Sequence, residues 1–151
     1  MSEHKAKITW KRSTPDFQYE TYDRTHSIRF EGGTLVQASS APQYAGKKEL
    51  VNPEEGLAAA LGSCHMLTFL AVAAKMRLTI DTYEDEPTAI LDKNPQGKMA
   101  VTKIFLRPKI QFSGPNIPDS NKVRDLHDKA HANCMIANSL LCEVVVEPNG
   151  S

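Results

Sequence analysis

The segment that most constrains this chain is Leu57 to Ala74, in which almost every side chain is apolar or small. Directly before it stands Asn52-Pro53-Glu54-Glu55. Asparagine is a good N-cap, proline suits the first helical position, and carboxylates favour the positive end of a helix dipole. Together these predict a helix from Pro53 to about Met76. Its residues are apolar on nearly all sides, so it must be buried rather than laid on a surface. The run reaches about the 18-residue length that spans a bilayer. Alanine is weakly hydrophobic, however, and Gly62, Ser63, His65 and Thr68 interrupt the stretch. No second segment of the kind exists, so the expectation is a core helix and no membrane partner.

A chain of 151 residues fits one domain, spanning 1–151. Aromatic residues make up only 7%, so alanine, valine, isoleucine and leucine must supply most of the core. Eighteen basic and eighteen acidic residues cancel. This excludes the basic footprint of a nucleic-acid binder and eases self-association. Three cysteines, an odd number, do not make a disulfide framework. Met1 to Trp10 is charged and lacks the apolar stretch of a secretory leader, which points to a cytoplasmic protein.

Around the long helix the pattern predicts strands. Ile8 to Lys11 alternates, as does Tyr22 to Phe30, and Glu31-Gly32-Gly33 turns the chain into Thr34 to Ala38, a hairpin. Ile80 to Leu91 reads as one strand bent at Pro87. Ala100 to Leu106 and Lys109 to Phe112 read as one long strand with a bulge or edge at Pro108. Ser120 to Asn133 is an amphipathic helix. A short helix over Ile136 to Leu141 and a strand over Cys142 to Glu147 follow. The order gives an α+β class with antiparallel hairpins.

Two cysteines stand in chemically suggestive surroundings. Cys64 lies within the apolar helix, with Glu54 nearly three turns earlier on a similar face and His65 turned away from it by about 100°. His127, His131 and Cys134 share one face of the second helix. Were that helix to end at Asn133, Cys134 would lie near the start of the next one, where a thiolate is favoured. Cys142 reads as a structural thiol, Glu55 as a helix-terminus charge, His26 as a surface residue or site wall, and His4 as uninvolved. Phosphate-loop, dinucleotide-binding and nucleophile-elbow patterns are missing, and no cofactor is implied. His127, His131 and Cys134, with Cys64 and His65 in reserve, are also ligand types for zinc, although no Cys-x-x-Cys accompanies them.

Asn52-Pro53-Glu54-Glu55-Gly56-Leu57-Ala58-Ala59-Ala60 followed by Cys64, and Ala130-His131-Ala132-Asn133-Cys134 leading into Ala137-Asn138-Ser139, resemble the osmotically inducible protein C and organic hydroperoxide resistance (OsmC/Ohr) family. The resemblance runs from about Tyr22 to Val146. It implies an OsmC-like fold, with antiparallel sheets wrapped around long central helices in an interlocked homodimer. It also implies reduction of organic hydroperoxides by two cysteines, with Cys64 peroxidatic, Cys134 resolving and Glu54 the family's carboxylate. The family's thiolate-holding arginine maps best onto Arg24, with Arg29 the alternative. His26, His65 and His131 would line the substrate site, and a dithiol reductant, of which a lipoylated protein is one kind, would close the cycle. This chain departs from the family pattern in having Met135 where many members have proline, and Lys47 and Lys48 where some carry their arginine. Two rival readings remain: a redox sensor or ligand-binding protein without fast turnover, and a Cys/His zinc-binding protein.

Overall fold

The helix start read from Asn52 to Glu55 forms as a reciprocal cap in the computed structural model, which describes residues 1–148. The Asn52 side chain accepts from the Glu55 amide at 2.9 Å, and the Glu55 carboxylate accepts from the Asn52 amide at 3.1 Å. From there α1 runs over Pro53–Lys75. It closes with Arg77 in the left-handed region, φ 59°, while the Leu78 amide reaches back to the Ala73 carbonyl.

The chain forms two compact units, Met1–Gly56 and Leu57–Ser151. The first is a three-stranded antiparallel sheet of β1 (Ala6–Thr9), β2 (His26–Phe30) and β3 (Leu35–Ala38), with β2 central. Gly33, at φ 93°, makes the β2–β3 turn. The second strand thus begins at His26 rather than Tyr22, because Tyr22 to Thr25 is occupied by side-chain turns, Asp23 accepting from both the amide and the hydroxyl of Thr25. A 3-10 turn at Pro42–Tyr44 follows, and an isolated parallel bridge joins Ala38 to Val51.

In the second unit the predicted Ile80–Leu91 strand is two strands in two sheets. β4 (Thr79–Glu84) pairs antiparallel with β7 (Lys109–Ser113), whereas β5 (Thr88–Lys93) pairs antiparallel with β6 (Met99–Leu106). Likewise β6 and β7 are not one strand, because the chain changes sheet at Arg107 and Pro108. The break at Asp85 to Pro87 is held where the Asp85 carboxylate accepts from the Arg107 amide at 2.7 Å. The last strand, β8 (Glu143–Val146), pairs parallel with β6. Between β7 and β8 lie α2 (Ser120–Asn133), capped by the Asp119 carboxylate on the Lys122 amide, and a 3-10 turn at Ala137–Ser139.

Helix α1 serves two hydrophobic clusters in this unit. Ala58 and Leu61 pack with Ile104, Leu106 and Cys134. Phe69 and Ala73, two to three turns further on, pack with Ile110, Leu126 and Ala130. Gly62 lets the helix approach Pro87 closely: a Cβ there would stand 2.4 Å from the proline ring.

Candidate functional site

Packing brings the two cysteines together. Cys64 lies one turn beyond Leu61 and packs half-buried against the cluster that contains the fully buried Cys134. Cys134 is the C-cap of α2, in extended conformation. The turn behind it is tied off by three bonds. Ser139 donates to the Met135 carbonyl at 2.8 Å and Asn138 to the Ala132 carbonyl at 3.1 Å, while the Ala137 amide points at the Cys134 sulfur from 3.4 Å.

The two thiols are electrostatically unequal. Burial pushes the Cys64 thiol up, but the neighbouring Cys134 thiol and the backbone N–H groups of Ile136 and Met135 outweigh it and hold Cys64 below its ordinary value. The Thr68 hydroxyl gives its one proton to the Cys64 carbonyl at 2.8 Å, so it does not also serve the sulfur. Burial and the adjacent Cys64 sulfur push Cys134 up instead. When the pair loses a proton, the charge therefore settles on Cys64 while Cys134 keeps its hydrogen and donates it. Within this unit the donors on the Cys64 sulfur are neutral, which sequence reasoning missed: it looked for a cation, and backbone amides leave no mark in side-chain spacing.

The histidines divide differently from expectation. His65 and His127, on α1 and α2, are 1% and 2% exposed and meet with Nε2 and Nδ1 at 3.0 Å. Their ring planes are 7° from parallel, with centroids 5.3 Å apart. Both are held near a pKa of about 4, by burial first; the facing imidazoles His127 and His131 add to this at His65. His131 is exposed in the last turn of α2. The pairing of His65 with His127 also went unforeseen, although one histidine on an apolar helix and two on a facing helix is the signal that would have found it. Among the described residues no three His, Cys, Asp or Glu side chains gather as a metal-binding group. Cys142 is half-buried against the Cys134 cluster, with burial pushing its thiol up.

Arg24, Glu54 and His26 lie in the first unit. The Arg24 guanidinium, 9% exposed, donates to the Tyr19 and Tyr22 carbonyls at 2.7 Å each and lies 3.8 Å from the Tyr22 ring centroid. It forms no ion pair among the described residues. With His26, Ile8, Trp10, Phe17 and Tyr22 it lines a largely apolar cavity of about 400 Å³. His26 is half-buried, with Nδ1 2.8 Å from the Arg24 carbonyl. Arg29 is exposed on β2. One oxygen of Glu54, Oε2, is buried without a hydrogen-bond partner.

Comparison with known proteins agrees with this architecture. The family described as OsmC-like protein matches residues 46–149. The solved structure of an OsmC-like protein of unknown function from Vibrio cholerae is 44% identical, with TM-score 0.95 over 99% of this chain and 100% of the other. The uncharacterized protein YmaD of Bacillus subtilis is 26% identical over 123 residues, 80% of this chain and 81% of its own. The organic hydroperoxide resistance protein OhrB of Bacillus subtilis shares the fold, with TM-score 0.72 at 20% identity over 98% of each chain. With a match across most of its length and both thiols seated in the same core, this chain belongs to the OsmC-like protein family.

Proposed function

We propose that this protein is a cytoplasmic thiol peroxidase that reduces organic hydroperoxides. The observation that carries the reading is the unequal thiol pair, with Cys64 favoured as thiolate and Cys134 holding the proton beside it. The Cys64 thiolate attacks the distal oxygen of ROOH and breaks the O–O bond. The sulfur is oxidised to sulfenic acid, and RO⁻ takes a proton to leave as the alcohol. Cys134 sulfur then attacks the sulfenic sulfur, forming the S–S bond and releasing water. A dithiol, of which a lipoylated protein is one kind, returns two electrons and two protons. Lodging Cys134 in the core beside Cys64 keeps the second step faster than over-oxidation.

Arg24 and Glu54 are assigned to this chemistry by family resemblance, the arginine to hold the thiolate and the carboxylate to steer the arginine. Each has capacity left for the role: Arg24 is a mostly buried cation that meets two carbonyls and the Tyr22 ring but no carboxylate among the described residues, and Glu54 has an oxygen without a partner among them. His26 and His131 are proposed to contact substrate. A second copy of the chain completes the assembly in this reading.

The test is turnover of cumene hydroperoxide with dihydrolipoamide as reductant, followed by mass spectrometry. The wild type should consume peroxide catalytically and, after one equivalent without reductant, lose two hydrogens at a Cys64–Cys134 link. Cys134→Ser should oxidise once and proceed to sulfinic acid. Full peroxidase activity in Cys64→Ser would end the proposal, and a stoichiometric disulfide without turnover would leave a redox sensor.

A further inference from the structure

We propose that the buried His65–His127 pair is a positioning device that sets the spacing of the two thiols, an inference that rests on reading Cys64 and Cys134 as a reacting pair. His65 directly follows Cys64 on α1, and His127 lies on α2, whose end is capped by Cys134. Their 3.0 Å contact is a side-chain hydrogen bond that joins these two helices. Phe69 fixes the arrangement from the side, with its ring centroid 4.4 Å from that of His127.

Stability alone does not account for this pair. Two neutral imidazoles that share one hydrogen bond leave one N–H and one lone pair over. Here those are His65 Nδ1 and His127 Nε2, both buried and both without a partner among the described residues. Each unmet buried polar atom is destabilising, and apolar side chains of similar volume would fill the place without that cost. What the histidines supply is a directed contact of fixed length between the helices that carry the sulfurs.

The contact is also breakable by acid. A protonated ring is a donor at both nitrogens, so a second proton on the pair sets two N–H groups against each other. The titratable groups facing the pair are few. His131 and Asp128 act on it from α2, and Tyr83 of β4 packs on the far side of Phe69 with Asp85 beside it. The first proton, taken up near pH 4, leaves one charged N–H···N bond, so the contact is lost only when the second ring is protonated at lower pH, and the thiols then lose their spacer.

The experiment measures closure of the Cys64–Cys134 disulfide by diamide in the full chain. Diamide takes two electrons and two protons from two thiols whether or not the protein turns over peroxide. His127→Gln keeps a side-chain hydrogen bond and does not titrate; His127→Leu has neither property. At about pH 7 the Gln protein should close at the wild-type rate, and the Leu protein about tenfold slower with unchanged circular dichroism. The ratio of wild-type to Gln rates should stay flat above about pH 4 and fall about tenfold per unit below the pH at which the second ring takes its proton. Parallel pH profiles for wild type and His127→Gln would overturn the proposal even if the Leu protein failed to fold. Normal diamide closure with no response to peroxide would defeat the peroxidase reading and leave the positioning role standing.

Discussion

A buried imidazole that is neutral in the fold takes up a proton when the chain unfolds, and His65 and His127 are both of this kind. Their folded pKa values lie near 4, against about 6.5 in an unfolded chain. Between those values the unfolded state binds more protons, so stability falls as pH drops from about 6.5 through about 4 and is flat above. The loss is up to about 3 kcal/mol for the first ring. Urea midpoints at pH 7 and pH 4.5 should show a larger acid shift for wild type than for His127→Gln, and equal shifts would refute the assignment. A second residue-scale effect concerns Gly62, where alanine gains about 1 kcal/mol of helix propensity. The same methyl meets a proline ring at 2.4 Å, and overpacking costs about 1–3 kcal/mol. Gly62→Ala should therefore lower the melting temperature despite the better helix former. The proposed reactive residues were legible only in part. Cys64 and Cys134 stood out by their surroundings, but their pairing came from family resemblance, since nothing in their spacing says that they touch. The neutral donors Met135 and Ile136 were illegible because any residue supplies a backbone N–H.

Helix ends were the most readable elements, because the groups that cap them are local. The Asn52–Glu55 box and the Asp119 cap involve residues three apart, and the helices start at Pro53 and Ser120, as the sequence predicts. Strands were read less well for the converse reason. Periodicity shows that Ile80 to Leu91 is extended, but not that its halves leave for different sheets. That division depends on distant partners, β7 for one half and β6 for the other, and on the Arg107 amide held by Asp85. The parallel pairing of β8 with β6 is non-local in the same way. At the far end of α1 the local rule is broken, since Arg77 holds the left-handed position that glycine occupies at low cost. Its side chain makes no hydrogen bond or ion pair among those described that would be forfeited. Arg77→Gly should raise stability by about 1 kcal/mol, read from the urea midpoint. A loss of stability would show that the arginine has a contact worth more than its backbone strain.

At the scale of the whole molecule, α1 poses a burial problem that one chain does not solve. Only a third of its most apolar window is buried, although its composition would suit a bilayer. The uncovered residues Ala60, Leu67, Ala71 and Ala74 recur at three to seven positions, a stripe along one side, and Leu67 is 59% exposed. The family fold makes this a core helix, and a core helix needs a cover. A second copy presenting the same stripe would supply one by two-fold symmetry, and a chain of zero net charge would not repel its copy. Leu67→Glu tests this directly. In a lone chain the glutamate would point to water and cost little, so circular dichroism should not change. Across a two-fold contact the same substitution buries two like charges without partners, a penalty of several kcal/mol. The dissociation constant should rise by about a hundredfold or more, moving the protein from dimer to monomer mass in light scattering at tens of micromolar. Since the proposed substrate site belongs to the assembled form, peroxide turnover should fall with the dimer and recover as protein concentration is raised. A wild-type protein of monomer mass at those concentrations, or a Leu67→Glu dimer as tight as wild type, would mean that something other than this stripe covers α1.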